Sequence, residues 1–74
     1  MIRNELSIIN YIVICISEFA KQKSITTKDA YQYLKTYKGL DFLNEFYESE
    51  HILDLTDTIE DLTKICKNNG GNLE

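Results

Sequence analysis

The 74-residue chain contains no proline and no tryptophan, and it has only three glycines, two cysteines, one methionine and one histidine. With no proline and so little glycine, nothing in the backbone forces helices to break, and long helices are favoured. Two cysteines are too few for a disulfide scaffold. Cys15 and Cys66 each lie inside an apolar pattern, with no second Cys or His at ligand spacing, so no metal site is expected. The expected state is two buried, reduced thiols rather than a disulfide. His51 is the lone histidine and no cysteine lies near it; no glycine-rich phosphate loop exists, Gly70-Gly71 being a terminal breaker. A nucleophile, base and orienting group within reach of one another are therefore lacking. The chain is not expected to be an enzyme: no catalytic residues, no cofactor and no metal. The apolar run Tyr11–Ile16 is too short to span a bilayer and no signal peptide is visible, so a cytoplasmic protein with no membrane partner is expected.

Positive charge is missing from a long stretch. Between Leu40 and Thr63 there is no Lys or Arg, but there are eight acids: Asp41, Glu45, Glu48, Glu50, Asp54, Asp57, Glu60 and Asp61. The preceding block, Lys21 to Lys38, holds five lysines and the single acid Asp29. The net charge of -4 lacks the basic face of a nucleic-acid binder. Residues 25–34 resemble the cap and first helix of a helix-turn-helix. The helix that would enter the groove, residues 40–50, carries four acids and no cation and would be repelled by phosphate. No nucleic-acid partner is expected. The basic and acidic blocks either pair within the fold or lie solvated, or they form a polarised surface that steers a protein partner.

What is present fits one small helical domain over residues 1–74. Hydrophobic residues are 43% and charged residues 27%, ordinary globular usage. A chain of this size buries only roughly 60–65% of its unfolded surface, which leaves little room for an enzyme pocket. Leu73-Glu74 reads as readily as a cloning scar as native sequence and carries no weight. The apolar spacing predicts an all-α, compact small bundle of about four helices.

The first helix is expected from about Arg3 to Lys21, with two adjacent stripes, Leu6-Ile9-Val13-Ile16-Ala20 and Ile8-Ile12-Cys15-Phe19, that together make it the most buried element. Residues 22–25 are a loop. Thr26 is an N-cap with Asp29 three residues on. The second helix runs to about Lys38, burying Ala30, Tyr33, Leu34 and Tyr37, and Gly39 is placed as a left-handed C-cap. The third runs from about Leu40 to Ser49, burying Leu40, Leu43, Phe46 and Tyr47 with Phe42 on a flank. Residues 51–53 connect it to a fourth, capped by Asp54 and ending near Asn68, which buries Leu55, Ile59, Leu62, Ile65 and Cys66.

Six of the eight aromatic residues fall between Tyr31 and Tyr47. They are core, or they mark a protein-binding surface where exposed together. Tyr47 and His51 are one helical turn apart; a Tyr–His hydrogen bond closing the corner is the plain explanation and a functional contact the sharper one. The candidate partner-binding residues are Glu45, Tyr47, Glu48, Glu50, His51 and Asp61.

Several of these residues also carry a resemblance. The apolar helix ending in Ile14-Cys15-Ile16 and Glu18, the Ala30-Tyr31 pair, Lys38-Gly39, Asp41-Phe42-Leu43, Tyr47, Glu50-His51 and Asn69-Gly70-Gly71 occur in an order and spacing that resembles a family of short bacterial proteins, domain of unknown function thirty-seven ninety-one. The likeness covers nearly the whole chain. Ile52 stands where the family pattern leads one to expect Thr. The resemblance implies a small helical protein with no established activity. Such proteins are often encoded near ADP-ribosyltransferase-like proteins, an arrangement that looks like a toxin–antitoxin pair. The resulting expectation is a non-enzymatic interaction module, an antitoxin-like protein whose partner is encoded next door. The alternative is a self-associating structural protein that forms a homodimer.

Overall fold

The computed structural model describes residues 4–73, over which the chain forms five helices and no strand. The expected helix start at Arg3 and the terminal Glu74 lie outside the described residues. Helix α1 spans Glu5–Lys23 and is capped by Asn4, whose side chain accepts from the Ser7 amide. It ends on Ser24 in the left-handed conformation, φ 57°, with the Ile25 amide reaching back to the Ala20 carbonyl at 3.0 Å. Helix α2 spans Thr27–Thr36, and Thr26 caps it as expected: its hydroxyl accepts from the Asp29 amide at 3.1 Å. Helix α3 spans Gly39–Glu45, α4 is a single turn, Tyr47–Glu50, and α5 spans Leu55–Asn68.

The expected third helix is thus two pieces that bend at Phe46. The Phe46 carbonyl accepts both the Ser49 amide at 3.1 Å and the Ser49 hydroxyl at 3.2 Å. A serine side chain that bonds back to a carbonyl one turn earlier bends a helix. The bend leaves Phe46 exposed, where the sequence pattern placed it inside.

The core is built from Cys15, Phe19 and Ala20 of α1, Ala30 and Leu34 of α2, Leu43 of α3 and Ile59, Leu62 and Cys66 of α5. Helix α1 packs against α2, α3 and α5, so it is central as expected. It is not the most buried element. Ile8, Cys15 and Phe19 are buried, but Leu6 is 68% exposed and Ile9, Val13 and Ile14 are more than half exposed. The stripe carrying Ile8, Cys15 and Phe19 is covered along its length, whereas the other is covered only at its end, by Ile16 and Ala20. Four shorter helices cannot surround a 19-residue helix on every side.

Gly39 is not a left-handed cap. That conformation belongs to Lys38, φ 72°, and Gly39 opens α3, buried. Its use is proximity: a Cβ there would meet Leu34 Cδ2 at 2.8 Å and Cys66 Sγ at 3.1 Å. Gly39→Ala is expected to lower stability by about 1 kcal/mol, the overpacking cost exceeding the gain in helix propensity. A urea midpoint equal to or above that of the parent would show that α2 and α5 yield freely at this point.

Both cysteines are free and fully buried, and burial pushes each thiol up to about 11. The thiolate is the reactive form, so both should resist labelling in the native protein and react at the rate of opening. Labelling at the speed of a free thiol in the absence of denaturant would contradict this packing.

Candidate partner-binding site

The acidic segment folds into α3, α4, the turn after it and the first two turns of α5. Tyr47 opens α4 and His51 follows its end, so their rings meet across one turn, stacked at 4.4 Å and 10°. The bond that closes the corner joins the His51 ring and the Tyr47 backbone, not the phenol. His51 Nδ1 lies 2.7 Å from the Tyr47 carbonyl, and since a carbonyl only accepts, Nδ1 carries the proton. Tyr11 of α1 meets the edge of this stack, its ring 5.4 Å from Tyr47 and 6.4 Å from His51.

Behind the rings lies Thr58, fully buried on α5. Its hydroxyl donates to the Glu50 carbonyl at 3.3 Å and sits 3.2 Å from the Tyr11 hydroxyl. The single threonine proton is committed to the carbonyl, so Tyr11 donates to Thr58. One hydroxyl therefore ties α1, α4 and α5 together. Tyr11 is held protonated well above the usual phenol range, chiefly by burial.

Glu50 is the unusual member of the predicted set. It is only 7% exposed, and its Oε1 is a buried side-chain oxygen with no hydrogen-bond partner among the described residues. Burial pushes the Glu50 carboxyl up to about 7, and Asp61 of α5 adds to this through a hydrogen bond and through its like charge. The two carboxyls share the wall of an open pocket of about 360 Å³ with Phe42, Lys64, Ile65 and Asn68. A second, smaller recess of about 260 Å³ is lined by Gln22, Lys23, Ile59, Glu60, Thr63 and Lys64.

The structure therefore brings Glu50 to Asp61 and Tyr47 to His51. Glu45 and Glu48 are exposed on α3 and α4 and stand outside the pocket lining. Tyr11, Thr58, Phe42 and Lys64 belong to the site but were not among the predicted residues. Thr58 had a signal: it occupies a position of the α5 apolar stripe, four residues before Leu62, where a polar side chain needs a buried partner. Chemically, the carboxyl pair can hold a proton between two oxygens or accept a cation. Among the described residues no group of three His, Cys, Asp or Glu side chains is placed to hold a metal ion, and no helix is long and apolar enough to cross a membrane.

The family model described as "Protein of unknown function (DUF3791)" matches residues 10–69, which include every element of this site. No curated protein and no solved structure gives a significant match.

Proposed function

The chain belongs to the DUF3791 family, and we propose that it is a non-catalytic binding module whose acidic face, edged by aromatic and aliphatic side chains, docks on a basic surface of a protein partner. One observation carries this. Of the eight acids between Asp41 and Asp61, six remain exposed: Asp41, Glu45, Glu48, Asp54, Asp57 and Glu60. On the same stretch Phe46, Ile52 and Leu53 are exposed, Ile52 by 75%. Exposed ion pairs contribute at most ~1 kcal/mol each, so stability is a weak reason for concentrating one sign of charge. A potential that steers association beside apolar anchors is a stronger one.

The partner class follows from the family resemblance: an ADP-ribosyltransferase-like protein encoded next door, with the small helical chain in the antitoxin-like role. The test is co-expression with the neighbouring reading frame, followed by stopped-flow association at rising salt. Replacing Glu45, Glu48 and Asp57 with Gln, Gln and Asn should leave folding intact and slow association about tenfold at low salt. An unchanged rate would leave the acids as a solubilising surface.

A second reading is favoured by a different observation. The exposed Leu6-Ile9-Val13 stripe of α1 lies at helical spacing and has no cover among the described residues. Self-association through α1 would bury it. Light scattering separates the two: a monomer that co-elutes with the neighbouring protein supports the first, and a stable dimer alone supports the second.

A further inference from the structure

We propose that the open face of α1 pairs with α1 of a second copy, the two helices running antiparallel across a seam of Leu6, Ile9, Val13 and Ile16. This deepens the second reading above and rests on it for the second copy; it adds the direction of the helices and the residues that meet.

Leu6, Ile9, Val13, Ile16 and Ala20 follow one another at alternating spacings of three and four, which keeps them on one line of the helix. Among the described residues that line is open at its start and closed at its end. Leu6 is 68% exposed, Ile9 55% and Val13 54%, whereas Ile16 is half-buried and Ala20 is buried. The three open side chains present roughly 300 Å² of contiguous apolar surface, a patch of the size that marks an interaction site. Burying it on two copies, together with its polar rim, removes on the order of 1,000 Å² in all, enough for a reversible dimer and too little for an obligate one.

Charge decides what covers the face. The twelve residues Leu6 to Ser17 carry no charge, in a chain that is 27% charged. The exposed rim of the stripe is Ser7, Asn10 and Ser17. A strongly charged partner is offered nothing to pair with there. An anionic membrane surface repels a chain of net charge -4 whose stripe has no lysine on its rim from Leu6 to Ser17. A second copy is the partner for which neutrality matters most. A twofold axis sets residues close to their own images, where like charges would repel.

The direction follows from the ends of the helix. In a parallel pair Glu5 would lie beside Glu5 and Lys21 beside Lys21, and the elements that bury Ala20 in each copy would face each other across the seam. Antiparallel, with Ile9 of one copy over Val13 of the other, Leu6 reaches Ile16 and Glu5 faces the uncharged Ser17. The most exposed residue of the stripe thus meets its partly closed end. Asn10 falls beside the axis, where the two side-chain amides can bond to each other.

The test is analytical ultracentrifugation of the full chain from about 10 μM to about 1 mM. The mass should rise from 8.6 kDa toward twice that value. Val13→Glu should weaken association about tenfold or more and, since Val13 is already half exposed, leave the circular dichroism spectrum unchanged. Should the spectrum change, Ile9→Glu makes the same measurement. Oxidation of Asn10→Cys should trap a covalent dimer and oxidation of Leu6→Cys should not, because the two copies of residue 6 meet only in a parallel pair; the native thiols are buried and stay out of the reaction. A monomer at every concentration would overturn the self-association reading and the pairing with it. A dimer that survives both glutamates, or that Leu6→Cys traps, would keep the reading and overturn the pairing. The variant neutral at Glu45, Glu48 and Asp57 should dimerise like the parent, and loss of the dimer there would move the contact to the acidic face and overturn the pairing.

Discussion

Phe19→Ala is expected to remove about 3–5 kcal/mol of stability, which for a domain of this size is most of what it has. Phe19 is fully buried at the point where α1 meets α2 and α5. Its ring stacks on Tyr33 at 5.9 Å, and Tyr33 in turn packs on Tyr37 at 4.8 Å. Truncation therefore removes one large side chain and leaves Tyr33 without the ring it stacks on. Collapse cannot repair the gap easily, because Tyr33 is also held by its hydroxyl, which accepts from the Leu73 amide at 3.1 Å. Urea unfolding followed by circular dichroism gives the number. A midpoint close to that of the parent would move the centre of the core away from Phe19.

The stability of the parent should fall by about 3 kcal/mol between pH 4.5 and pH 7.5, and Glu50→Gln should abolish that fall. The folded Glu50 carboxyl is raised from 4.5 to about 7, so between those values the folded state binds more protons than the unfolded one. Its contribution is complete below the lower value and is lost as pH rises through the upper one. The groups that bear on Glu50 are Asp61 from α5 and Tyr11 and Cys15 from α1, with Lys64 lining the same pocket. At pH 8 the variant should be the more stable protein. Below pH 4.5 the two should nearly coincide. Parallel curves for parent and variant across the window would mean that Glu50 ionises freely.

The sequence carried the elements well where local chemistry decides. Thr26 caps α2 through its hydroxyl, and α5 runs from Leu55 to Asn68, the span its apolar spacing marked. Residues 51–53 connect, as expected. The misses share one cause: local pattern says which residues are apolar, not how many neighbours exist to cover them. The two stripes of α1 look alike in sequence, but Leu6, Ile9 and Val13 of one stay exposed while Ile8, Cys15 and Phe19 of the other are buried. Gly39 reads as a terminator by position, while its role is set by Leu34 and by Cys66, which is 27 residues away. The site was half legible. The acidic run includes Glu50 and Asp61, which share a pocket wall, but all eight acids look equivalent in sequence, and only the fold distinguishes the buried Glu50 from the exposed Glu45 and Glu48. Tyr11 could not be assigned to this site from sequence, because its partner Thr58 is 47 residues on.

That separation has a consequence for the order of events in folding. Helices α1, α2 and α3 pack on neighbours close in sequence, whereas α5 is joined to α1 through Tyr11 and Thr58. The chain after α5 is joined to α2 by the Tyr33–Leu73 bond, a separation of 40 residues. Contacts that close the longest loops cost the most chain entropy and give their return last. Helix α5 should therefore dock late and detach early, with amide hydrogen exchange along Leu55–Asn68 faster than along the middle of α1. Since Asp61 and Lys64 ride on α5, the two-carboxyl pocket exists only in the last state to form. Anything that seats itself there would act as a clasp on the final step and lengthen the lifetime of the closed molecule. Slower exchange in α5 than in α1 would reverse this order.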